Sequence, residues 1–309
     1  MSSSPSRRRP GGRAGLVALA VVATLAALVA LGRFAPDGGP SSPPDADGRM
    51  AQPASEKLVG RAMADRPRSG NVGADISWPE CRRTEGIPGK RWQGKPMPPR
   101  TSRFVVLGLT NGPAFHPNPC LSRQVAWVRQ HRMHAAAYAV TTYPFPREVR
   151  RYGASGPFPA TTRDGRLANV GYQQARFNLA TMHRAGLTSP VVWIDVEDSS
   201  LRVWPRTPVR NRQVVAGLLH GYRQAGLLVG FYSTPSIWAE ILGDAAYGLP
   251  EWRSAGETSR AAARGRCRTG SIQGGPAVLA QWWVPAKDFD VLCPGYTSPR
   301  ALRTWFHRY

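Results

Sequence analysis

From Asn71 onward the chain alternates short apolar runs with longer amphipathic stretches, and that alternation limits the folds open to it. Val72–Ser77, Arg103–Leu109, Ala135–Val140, Val191–Val196, Leu227–Tyr232, Val278–Trp282 and Asp288–Leu292 have the length and side chains of strands. Cys120–His131, Val170–Ala185, Val209–Ala225 and Pro235–Leu242 carry helical periodicity, with Gly186 and Gly226 where helix C-caps are expected. Strands alternating with helices predict a parallel sheet, and a length of about 240 residues suits an eight-stranded barrel. The fold class is therefore α/β, a TIM-type (β/α)8 barrel, regular or not. An open doubly wound sheet is the alternative, although its Gly-x-Gly-x-x-Gly turn after the first strand is absent. Arg147–Ala168 and Ser254–Gly275 read as loop-like insertions rich in Gly and Arg.

Ahead of this domain stand three segments of different texture. Residues 1–13 form a basic tail with Arg7, Arg8, Arg9 and Arg13, and residues 14–32 enclose the apolar run Gly15–Leu31. Such a run sits at the short end of what crosses a bilayer as a helix. It exceeds the usual core of a cleaved signal, and Arg33 and Phe34 follow it without a clear Ala-x-Ala pattern. The expectation is an uncleaved signal anchor with the basic tail in the cytoplasm and the remainder outside. Secretion after cleavage is the alternative. Residues 33–70, rich in Pro, Gly, Ser, Asp and Ala, read as a disordered linker, and 71–309 as the barrel domain.

Cys81, Cys120, Cys267 and Cys293 are an even set suited to an oxidising compartment. Their spacing suggests Cys81–Cys120 and Cys267–Cys293, among three possible connectivities. No Cys-x-x-Cys or His-Glu-x-x-His spacing offers a metal site, and no cofactor motif is present, so none is expected. A Gly-x-Ser-x-Gly elbow and a phosphate-binding Gly-rich loop are missing as well. The chain holds 41 Lys+Arg against 19 Asp+Glu, a net charge of +22. Most of that excess lies in 71–309, which points to anionic surroundings. An exported domain seldom meets nucleic acid, so wall polymers or anionic lipid are the expected partners, the membrane being reached through the N-terminal helix. A solvated basic surface is the plainer reading.

Chemistry concentrates where acids meet the apolar runs. In Val191-Val192-Trp193-Ile194-Asp195-Val196-Glu197-Asp198, Asp195 and Glu197 stand two apart and share a face if the strand continues. Two close carboxylates do not both ionise cheaply, which suits one of them to donate a proton. Alternatively, Asp195 caps a helix and Glu197 is solvated. Asp75 ends the first run, and Asp288 and Asp290 lie in the last, which neighbours the first in a closed barrel. Trp78, Tyr138, Tyr143, Tyr232, Trp282 and Trp283 lie near the same ends, where aromatic planes suit the apolar faces of sugars. Of the Trp282-Trp283 doublet, one ring must face the barrel interior and the other the helices.

Taken together, these motifs resemble the lysozyme-like glycoside hydrolase family 25, and most of all its exported actinobacterial relatives. Gly73-Ala74-Asp75-Ile76-Ser77 resembles that family's opening Gly-x-Asp-x-Ser. Phe104–Leu109 with Thr110-Asn111-Gly112 is similar to its second strand and turn. Trp193–Glu197 is similar to its central Asp-x-Glu, Gly230–Ser233 to a later Gly-x-Tyr strand, and Gln281-Trp282 with Asp288–Asp290 to its closing strands. The resemblance implies a muramidase-like enzyme acting on peptidoglycan. Glu197 would then be the general acid, and Asp195 would steady an acetamido group that attacks the anomeric carbon, one of the exceptions to the two-carboxylate scheme. Asp75 and Asp290, with Asp288 as the alternative, would orient the pair or the sugar. Tyr232 and Trp282 would line the cleft, with Trp78 and Tyr138 beside them. The sequence departs from the family at Asn111, where an acid is usual, and at Glu80-Cys81, where an amide and Gly are. A wall-binding barrel without turnover is therefore the competing reading.

Overall fold

A computed structural model of the chain describes residues 71–85, 87, 93–198 and 202–309. The basic tail, the expected anchor and the linker lie outside the described residues. Among the described residues no helix is long and apolar enough to cross a membrane.

Eight strands close into a ring. They are β1 (Val72–Ile76), β2 (Phe104–Gly108), β3 (His134–Val140), β4 (Val191–Asp195), β5 (Leu228–Ser233), β6 (Glu251–Glu257), β7 (Ala277–Val284) and β8 (Lys287–Leu292). Neighbours pair in parallel from β1 through β7, and β8 returns antiparallel to both β7 and β1, closing the barrel. The ring is the expected barrel, and its parallel order is irregular at one strand, β8. Only a short turn separates Val284 from Lys287, too few residues for a parallel crossover, so a hairpin is the only connection available. As a result β8 begins at the end of the barrel where the other strands finish.

The helices are α1 (Leu121–Gln130), α2 (Pro146–Tyr152), α3 (Arg163–Ala185), α4 (Pro208–Gln224), α5 (Pro235–Leu242), α6 (Arg260–Arg266) and α7 (Pro299–Trp305), and a two-residue β9 (His307–Arg308) pairs with the start of β3. Helix α3 starts at an N-cap, Thr162, whose side chain accepts from Gly165 N–H, and stops at Gly186 in the left-handed region, φ 66°. Two stretches expected as loops are each about half helix or strand. Arg147–Ala168 holds α2 and the first turns of α3, while Ser254–Gly275 holds the end of β6 and α6. Strand β6, Glu-Trp-Arg-Ser-Ala-Gly-Glu, alternates charged with apolar or small residues rather than forming an apolar run, which hides it from a hydrophobicity reading.

Alternation divides the core in two. Val105, Leu107, Ala135, Ala137, Val192, Ile194, Val229 and Phe231 face outward and pack under the helices. Phe104, Val106, Ala136, Val191, Trp193, Trp252, Leu279 and Leu292 face inward, and Leu302, Trp305 and Phe306 close the strand-start end beneath them. Phe104 lies 4.6 Å from Phe306 and Trp193 5.8 Å from Trp305, centroid to centroid. At Gly230 a side chain would run into the Trp193 ring, so glycine makes room for the tryptophan. The cysteines pair as Cys81–Cys120 and Cys267–Cys293, each with Cα atoms 5.4 Å apart.

Candidate active site

The floor of the open end is aromatic. Trp252 of β6 contacts Tyr232 at 4.6 Å, Tyr138 at 5.7 Å and Trp193 at 6.2 Å. Every one of these rings sits on an inward position of its strand, because register fixes Tyr138 opposite Trp193 and Tyr232 opposite Trp252. These residues carry the interior from the apolar core up to the polar mouth.

Above that floor the acids gather from distant parts of the chain. Asp195 pairs with Tyr232 in register, Gln281 with Asp290, and Asp75 with Asp288. A hydrogen-bonded path crosses the mouth: Tyr232 Oη donates to Gln281 Oε1 at 2.7 Å, and Gln281 Nε2 donates to Asp75 Oδ2 at 2.9 Å. Trp252 Nε1 donates to Asp290 Oδ1 at 2.7 Å. The antiparallel course of β8 is what brings Asp288 to the rim and Asp290 two residues deeper on the same face.

Burial governs the electrostatics. Asp75 is raised well above the ordinary aspartate value by burial and then by the charges of Asp290 and Asp288. Asp290 and Asp195 are raised well above it too, burial leading in each case, with Glu197 adding to the shift of Asp195. Glu197, half-buried just past β4, is pushed up to about 7 by burial and by the charges of Asp288 and Asp198. Asp195 Oδ1 and Asp290 Oδ2 have no hydrogen-bond partner among the described residues. Protonated carboxyls resolve this crowding, since the acids cannot all ionise together in so dry a space.

The loop bearing Glu197 is held from behind. Trp204, fully buried, donates from Nε1 to Glu197 O at 3.2 Å and from its backbone N to Asp198 Oδ1 at 2.8 Å. Arg202 forms two 2.6 Å bonds to Glu148 of α2 and lies over the Phe145 ring. The Glu197 carboxyl at the mouth thus sits on an anchored main chain.

Asp75, Asp195, Glu197, Asp288, Asp290, Tyr138 and Tyr232 all reach this end of the barrel. Trp78 lies half-buried in the short 3-10 turn Trp78–Glu80 that follows β1. The placement of Trp282 is corrected. It points outward, stacks on Phe289 at 5.3 Å and packs beside the Cys267–Cys293 disulfide, whereas Gln281 and Trp283 take the inward positions. A period of two left the doublet's facing open, and the Gln281 contacts decide it. Sequence reasoning did not place Gln281, Trp252, Ser254 or Glu80 in the site. Glu80 is buried, accepts from Ser77 N–H at 2.9 Å, and is pushed up to about 7, by burial first. The alternation Glu251-Trp252-Arg253-Ser254 was the available signal for two of them. A Cys81, Glu85 and Cys120 grouping has metal-like spacing, but both sulfurs are spent in the disulfide.

Residues 162–253 match the family model described as Lysozyme-like protein 1. Lysozyme-like protein 2 of Caenorhabditis elegans is 33% identical over 76 residues, 25% of this chain, and the match spans about a quarter (26%) of that relative's length. Among solved structures, a muramidase from Acremonium alcalophilum is similar at 16% identity and a TM-score of 0.48, covering 75% of this chain and 98% of that one. A glycosyl hydrolase 25 of Streptococcus pneumoniae is similar at 12% and 0.48, covering 82% and 100%. A lysozyme from Streptomyces coelicolor gives 13% and 0.46, over 77% and 98%. Structural likeness this loose carries no chemistry across. The sequence match does bear on the site, because the matched residues include β4 and the carboxylates that follow it.

Proposed function

We propose that this protein is an exported glycoside hydrolase acting on peptidoglycan or a related amino-sugar polymer, held at the outer face of the membrane by its N-terminal helix. The observation that carries the reading is Glu197, a mouth carboxyl pushed up to about 7, two residues beyond the buried Asp195 on a lysozyme-like strand. A carboxyl protonated near neutral pH can give its proton to a glycosidic oxygen as the bond to the anomeric carbon breaks. The oxygen of the sugar's own acetamido group attacks that carbon and forms the new bond. Asp195 accepts the acetamido N–H and steadies the charge that develops there. Water then opens the ring so formed, returning a proton to Glu197 and completing hydrolysis. Asp75 and Asp290, fixed by Gln281 and Trp252, orient the pair, and Tyr138 and Tyr232 offer the sugar their rings and hydroxyls.

The test is release of reducing ends from purified cell walls by the protein and by Glu197→Gln. Release by the wild type alone supports hydrolysis. Equal background from both overturns it. The departure at Asn111, which leaves the second-strand turn without an acid, favours a second reading in which the barrel binds wall glycan without turnover. That reading expects wall pull-down by both proteins and release by neither.

A further inference from the structure

The two ends of the barrel differ in charge. At the mouth lie Asp75, Glu80, Asp195, Glu197, Asp288 and Asp290. At the strand-start end, residues 100–103, 129–134, 183–190 and 293–309 contain no Asp or Glu and eight arginines, and the acid ahead of β6, Asp244, is ion-paired with Arg212. The tail binds these entry segments into one face. Strand β9 pairs Arg308 with His134, whose other neighbour is Phe104. Arg103 Nη1 donates to Thr297 O at 3.2 Å, and Arg129 lies 4.9 Å from the Tyr309 ring centre. Helix α7 turns Leu302, Trp305 and Phe306 into the barrel and leaves Arg300 and Arg303 exposed, with Arg308 exposed just beyond. The arginines act together on one group: the His134 imidazole is held below its ordinary value by burial and by Arg103, Arg308 and Arg303.

We propose that this basic underside is a docking face for anionic lipid headgroups, so that the mouth opens away from the membrane. Two observations select lipid over a wall polymer. Arg300, Arg303 and Arg308 are exposed around the buried plug of Leu302, Trp305 and Phe306, which suits a broad sheet of phosphates. The chain also enters the barrel here, since Asn71 O accepts from Leu292 N–H beside the start of β2, so whatever precedes Asn71 is covalently attached at this end. The proposal builds on the anchored, outward-facing part of the proposed function but not on turnover.

Hydrogen exchange of the full chain tests it, with nanodiscs of phosphatidylcholine alone or mixed with phosphatidylglycerol. Residues 129–134 and 300–309 should exchange several-fold more slowly on the anionic discs, and the protection should vanish in high salt. Arg300→Glu, Arg303→Glu and Arg308→Glu together should abolish it. Arg147→Glu with Arg150→Glu, exposed on α2 at the mouth end, should leave it intact, which separates docking from net charge. Equal exchange on both discs overturns the proposal. So does equal protection by soluble poly(glycerol phosphate) beside neutral discs, which would make a wall polymer the occupant. Exchange over 15–31 reports insertion separately, so failure of the anchor and failure of the docking face are distinguishable.

Discussion

Glu197 concentrates the residue-scale argument, because its protonation links the geometry of the mouth to its chemistry. A general acid must hold its proton, so release of reducing ends should be fast below pH 7 and fall as pH rises through about 7. A pH–rate profile on cell walls checks this. Glu197→Gln should lower the rate by about 10²–10⁴-fold at pH 6, the usual contribution of a positioned acid. Asp195 pairs in register with Tyr232 from a dry position, so the two acids of one Asp-x-Glu sit in different surroundings. Packing sets a separate residue-scale limit at Gly230. Gly230→Ala should lose about 1–3 kcal/mol in urea unfolding, because the added methyl meets the Trp193 ring and the Pro250 carbonyl.

At the scale of elements, β6 shows how a strand can be hidden by its own function. Its outward Glu251 and Arg253 are both buried and bonded to each other at 2.6 Å. Glu251 also accepts from the backbone N–H of Ile272, Gln273 and Gly275, and Arg253 donates to the carbonyls of Arg266, Thr269 and Gly275. Burial pulls the Glu251 pKa up, but these donors outweigh it and hold the carboxyl below the ordinary glutamate value. The pair thus fixes the chain from α6 to β7 without any apolar run to announce it. Glu251→Ala leaves a guanidinium buried without its partner and should cost about 3–5 kcal/mol, read by denaturant unfolding. Hydrogen exchange over 267–276 should rise in that variant before the barrel itself opens.

For the molecule as a whole, the gathered acids set the pH dependence of stability. Glu80 and Glu197 keep their protons in the folded state to about pH 7, but release them near 4.5 when exposed by unfolding. Between those values the folded state binds more protons, so stability falls as pH rises. Thermal unfolding should therefore show a higher Tm near pH 5 than near pH 8. Asp290, raised well above its ordinary value by burial, adds to that slope, so Asp290→Asn, which keeps an oxygen for Trp252 Nε1, should flatten it. A Tm that rises from pH 5 to pH 8 would contradict this account of the mouth.

The sequence alone determined which residues share a face, where most strands and helices run, and which acids stand beside aromatic residues. Local spacing fixes these, through periods of 2 and 3.6. Val191–Asp195 and Pro235–Leu242 were legible for that reason, and the two cysteine pairs by proximity in the chain. Tertiary structure alone decided which face is the inside and that Gln281 rather than Trp282 enters the site. Those outcomes depend on pairing between β1 and β8, segments more than two hundred residues apart, and no local pattern carries information about a partner that distant.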